Sequence, residues 1–104
     1  MLDNIKELRI DRNTRIEMPE ICRFFGIIIF LYPDDHLPPH FHARYAEFEA
    51  QISIETGNII VEDLPKKQIR LVQAWVELHR DELYENWEES KKAIPAFKKI
   101  EPIK

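Results

Sequence analysis

The most constraining feature of the chain is a pair of alternating runs, His40 to Tyr45 and Phe48 to Ile54, separated by Ala46 and Glu47. Successive side chains of an extended chain point to opposite faces, so a period of two assigns each residue to a face. Folding the runs together about Ala46-Glu47 sets Tyr45 opposite Phe48, Ala43 opposite Ala50 and Phe41 opposite Ile52. The other face then pairs Arg44 with Glu49, His42 with Gln51 and His40 with Ser53. Every apolar residue finds an apolar partner, which is what fixes a hairpin register. Ala-Glu is a weak sequence for a tight primed turn, so a longer loop is the competing expectation.

The flanking segments extend the hairpin into a sheet. Phe24 to Tyr32 is a near-continuous apolar run closed by Pro33, and it predicts one buried central strand with Gly26 at a bulge or close backbone approach. Glu55-Thr56-Gly57-Asn58 signals a turn, and Ile59 to Glu62 a short further strand. Beyond Leu64-Pro65, with Asp63 as the expected N-cap, the period changes. Ile69, Leu71, Val72, Trp75, Val76 and Leu78 fall in one half of a helical wheel. An unbroken continuation buries Leu83 and Trp87 but also Glu82 and Asn86. A bend at His79-Arg80-Asp81 is therefore expected, with Asp81 capping a second helix that runs to about Ala93 and ends before Pro95. Phe97, Ile100, Pro102 and Ile103 then form an extended tail that lays apolar side chains across the core. The expected fold is α+β: an antiparallel meander of three to four strands followed by two α-helices packed on one face.

Composition bounds the setting. At 104 residues, 44% hydrophobic and 33% charged, the chain is expected to be one globular domain and not a disordered segment. Residues 18–104 form the domain and residues 1–17, neutral and poor in apolar residues, an N-terminal arm. The sharper reading of that arm is a segment that pairs with a partner or an exposed sheet edge. Asp3 and Glu7 stand where a signal peptide would be basic, and no apolar run is long enough for a membrane helix. With one cysteine, Cys22, and hence no internal disulfide, the expectation is a cytoplasmic protein. The net charge of −4 argues against a broad nucleic-acid face, and any such contact would have to be local, around Lys91, Lys92, Lys98, Lys99 and Lys104. There is no Gly-rich phosphate loop, CxxC pair or Gly-x-Ser-x-Gly elbow.

The residues that carry chemistry concentrate in Pro33 to His42, which holds three of the four histidines. His40 and His42, two apart in a strand, project to the same face and could offer imidazole nitrogens to one divalent metal such as zinc. His36, Asp34, Asp35 or the diagonal Glu49 could complete the set. Without metal, His40 and His42 could act as acid and base, with Arg44 holding an anionic group. The structural alternative is that Pro38-Pro39 fixes an extended approach to the strand, and that His36 and Asp35 shape a turn. His79 falls on the buried half of its helix and reads as a core histidine with a backbone partner. The face that carries His40, His42 and Arg44 is read as an outward polar surface, either solvated or a recognition patch.

A family resemblance rests on several blocks: Met18 to Gly26, Asp35-His36-x-Pro38-Pro39-His40-Phe41-His42-Ala43-x-Tyr45, Glu55-Thr56-Gly57, Leu64-Pro65, Trp75-x-Glu77-Leu78-His79, Asn86-Trp87 and Lys99-Ile100-x-Pro102. Together they resemble the bacterial domain-of-unknown-function family 4160, over residues 18–104. Ala46 departs from the glycine usual in the family's hairpin turn. The resemblance implies a stand-alone cytoplasmic protein, often encoded beside a second short domain, an arrangement associated with toxin–antitoxin-like or regulatory pairs. It carries over no catalytic residue or cofactor. The leading expectation is thus a partner-binding component of a two-protein module, the partner being a small protein encoded by a neighbouring gene; self-association is left open. The alternative is a metal-assisted or His-based nuclease or phosphodiesterase at the His36/His40/His42 loop, and a third reading is a small-molecule binding module in the same place.

Overall fold

The computed structural model describes residues 19–103. The arm expected over residues 1–17 lies outside the described residues. The apolar run from Phe24 to Tyr32 is not one strand. β1 (Glu20–Phe24) and β2 (Ile27–Phe30) form a hairpin whose two-residue turn is Phe25-Gly26. Both turn residues have positive φ, 48° and 79°, which matches the twist of the flanking strands. A Phe-Gly turn leaves the apolar run uninterrupted, so hydropathy alone hides it. Phe25 stands exposed at its tip.

β3 (His40–Tyr45) and β4 (Phe48–Ser53) pair in the register read from their alternation, from Tyr45 opposite Phe48 to His40 opposite Ser53. The connection is the two-residue Ala46-Glu47 turn, with Ala46 at φ 52°. β5 (Ile59–Glu62) follows the Glu55–Asn58 turn, in which Gly57 donates its N–H to the Ser53 carbonyl. The result is a five-stranded antiparallel meander in the order β1-β2-β3-β4-β5, where three to four strands were expected.

One helix, α1 (Lys66–Glu89), follows instead of two. The expected bend is present as non-helical backbone at His79 (φ −131°, ψ 23°), but the helix continues through it. It ends at Ser90 rather than near Ala93, where the Ser90 N–H and hydroxyl both turn back to the Trp87 carbonyl. The N-cap is Pro65 and not Asp63, whose carboxylate accepts the N–H of Leu64. The two sides of the apolar half differ from the expectation. Leu78, expected inside, is exposed, whereas Asn86, expected to disrupt a buried face, is 2% exposed.

The core lies between one sheet face and α1. Ile27, Ile29, Phe41, Ala43, Ala50 and Ile52 meet Val72, Trp75, Val76 and Leu83. The C-terminal tail closes it as expected, with Ile100 buried and Phe97 and Ile103 packed alongside. Its backbone is tied down at three residues. The Asn86 side-chain amide exchanges two hydrogen bonds with Lys98, the Trp75 indole N–H donates to the Glu101 carbonyl, and the Ile100 N–H donates to the Ile21 carbonyl. These backbone partners are what make a buried asparagine tolerable.

Cys22 packs in this core, and burial pushes its thiol up from an ordinary value near 9.0 to about 11. At pH 8 about one thiol in a thousand would be ionised, against about one in ten if unshifted. Alkylation by iodoacetamide is therefore expected to run about a hundredfold slower in the native protein than in urea. Equal rates, followed by mass spectrometry, would show that Cys22 is not held in the core.

Candidate functional site

The segment from Leu31 to Pro39 carries the chain from β2 to β3 and is fastened to the end of α1. Asp34, in left-handed backbone (φ 56°), donates its N–H to the Ser90 carbonyl at 2.7 Å. The Lys91 ammonium donates to the Asp35 backbone carbonyl and lies 4.2 Å from the centre of the Trp87 ring. The loop reaches β3 through a cis Leu37–Pro38 peptide. Held this way, the Asp35 side chain is buried.

Three imidazoles meet its carboxylate. Oδ2 lies 3.1 Å from His40 Nε2 and 2.9 Å from His42 Nε2. Oδ1 accepts the backbone N–H of His36 at 2.9 Å and lies 3.6 Å from His36 Nε2. The opposite ring nitrogens face oxygens. Nδ1 of His40 is 2.7 Å from the Pro38 carbonyl, and Nδ1 of His36 is 3.1 Å from the Leu37 carbonyl. Among the described residues Nδ1 of His42 is buried with no hydrogen-bond partner, and Glu49 Oε2 is 3.7 Å away.

The chemistry of His40 is thereby restricted. A carbonyl only accepts, so its Nδ1 must carry a proton. Its Nε2 then faces a carboxylate oxygen, which also accepts. Two lone pairs cannot share that gap, so a proton or a metal cation has to occupy it.

The sequence expectation of an outward polar face needs correction here. His40 and His42 do lie opposite Phe41, but they are only 1% and 3% exposed. The loop folds back over them. His42 stacks on Phe30 with ring centres 5.2 Å apart and meets Tyr32 edge-on at 4.8 Å, while Trp87 lies 5.5 Å from His40. The His36 side chain, at 63% exposed, is the one that reaches solvent. Arg44 is committed to Glu49 at 3.1 Å and lies over the Phe30 ring. His79 sits apart, paired with Glu82 rather than with backbone, and its ring lies 5.6 Å from Trp75.

Asp35, His36, His40 and His42 are thus brought together, whereas Asp34 uses its backbone and Glu49 serves Arg44 and the outer side of His42. The supporting groups that sequence reasoning missed are Phe30, Tyr32, Trp87, Ser90 and Lys91. The aromatic ones read as ordinary core residues, and Ser90 acts through its main chain. Lys91 reads in the sequence only as one of the basic group around residues 91–104.

Compared with known families, residues 26–88 match DUF4160, a domain of unknown function. No curated protein and no solved structure matches the chain. The matched segment begins in the β1–β2 turn, runs to the end of α1 and contains all four clustered residues. It spans well over half of the 104 residues, and the chain belongs to the DUF4160 family.

Proposed function

We propose that this chain is the partner-binding component of a small two-protein module, of toxin–antitoxin-like or regulatory kind, and that β5 is the strand it offers. The supporting observation is the sheet edge. Among the described residues no strand pairs with the outer side of β5, and Ile60 and Val61 on it are each 41% exposed. An apolar edge whose N–H and C=O groups meet no strand among the described residues is a template for another strand. The opposite edge differs, because β1 is met by the tail at Ile21. Glu62 and Asp63 beside the edge favour a partner segment carrying basic residues.

Co-expression with the protein encoded by the neighbouring gene is expected to give a complex that survives gel filtration. Val61→Lys places a like-charged, solvated group on the edge and should weaken that complex about tenfold or more, with the melting temperature of the free chain unchanged. No complex with the wild-type chain, or one indifferent to Val61→Lys, would overturn the proposal.

A metal-assisted or His-based phosphodiesterase is the second reading, favoured by the convergence of Asp35, His36 and His40. With His40 and His42 enclosed, a phosphodiester would have to approach past His36. RNA cleavage lost in His36→Ala would support this reading, and no cleavage by wild type would remove it.

A further inference from the structure

We infer that Asp35, His36 and His40 form a binding site for one divalent transition-metal ion of the zinc type, braced by His42. Each of the three offers one ligand atom, and these atoms all lie within 4.8 Å of one another. Ligands about 2.1 Å from a tetrahedral ion sit about 3.4 Å apart. The Asp35 oxygens lie 3.1 Å from His40 Nε2 and 3.6 Å from His36 Nε2, on either side of that spacing. His36, being exposed, has room to rotate and close the remaining gap.

The outer contacts point the same way. A metal-bound imidazole characteristically gives its other N–H to a carbonyl or carboxylate, which fixes the tautomer and aims the free nitrogen. His36 and His40 both do this, through the Leu37 and Pro38 carbonyls. Their Nε2 lone pairs are consequently directed at one carboxylate, an arrangement that a metal cation between them would satisfy. His42, at 2.9 Å from Asp35 Oδ2, holds the carboxylate from the enclosed side.

The donor set selects the ion. Two imidazole nitrogens and one carboxylate oxygen suit zinc or cobalt, whereas calcium and magnesium prefer oxygen-rich shells. Three protein ligands leave a fourth position, on the side where His36 meets solvent, for water or an exogenous group.

The site is independent of the β5 edge, and the two proposals fail separately. Val61→Lys should keep the metal, and His36→Ala should keep the partner. The experiment uses untagged full-length protein, stripped with chelator and titrated with zinc sulfate by calorimetry. One ion per chain with micromolar or tighter affinity is expected, together with a melting temperature raised by zinc. His36→Ala should leave the metal-free circular dichroism and melting temperature unchanged, because its ring is exposed. It should weaken zinc binding by about tenfold or more and shrink the zinc-induced melting shift. Cobalt in place of zinc should give the intense visible absorption of a low-coordinate site in wild type and not in His36→Ala. Binding of well under one ion per chain, or equal affinity in His36→Ala, would overturn the inference.

Discussion

Trp75→Ala is expected to cost about 4 kcal/mol, a large part of the stability of a domain this size. Trp75 is fully buried, with its ring 5.5 Å from Phe24 and 5.9 Å from Phe41, so it joins β1, β3 and α1 at one point. Its truncation leaves a cavity and orphans the Glu101 carbonyl. Urea unfolding, followed by circular dichroism, should show a much lower midpoint. Trp75→Phe keeps most of the volume and loses the indole N–H, so it should cost only about 1–2 kcal/mol. Equal losses for the two variants would mean that the bond to the tail, not the packing, is what Trp75 contributes.

Asp35→Ala should cost about 3–5 kcal/mol in metal-free protein, because removing one side of a buried charged cluster leaves the other side uncompensated. His40 and His42 would keep their places beneath Trp87 and Tyr32 with no acceptor at Nε2. Asp35→Asn, which can both accept and donate, should lose less, about 1–3 kcal/mol. The losses from Asp35→Ala and His40→Ala should not add in the double mutant, since each removes the other's partner. Additive losses in thermal unfolding would show that the carboxylate and the imidazole do not stabilise each other.

The hairpin of β3 and β4 was legible in the sequence because its two faces differ sharply in polarity, and only one register satisfies both. The β1–β2 hairpin was not, because Phe25-Gly26 supplies the turn without breaking the apolar run. The bend at His79 could be placed from the clash of Glu82 and Asn86 with a straight apolar stripe. The exposure of Leu78 could not, since it lies at the margin of the apolar half, where a wheel does not decide burial. Asn86 looked out of place because its partner is the Lys98 backbone, twelve residues on. For the site, spacing brought out His40 and His42, and proximity added Asp35 and His36. Their enclosure depends on Lys91 reaching the Asp35 carbonyl across 56 residues, and on Asp34 meeting Ser90. No local pattern encodes contacts of that span.

The tail clasp bears on the order in which the molecule assembles. Successive strands meet across short connections and can zip in sequence, at little cost in chain entropy. Ile21 and Ile100, by contrast, come from opposite ends of the described chain. Their bond, and those of Asn86 with Lys98 and Trp75 with Glu101, gain favour only once sheet and helix have brought their partners within reach. The final segment is therefore expected to dock last during folding and to detach first on unfolding, a latch whose opening releases the Trp75 indole N–H.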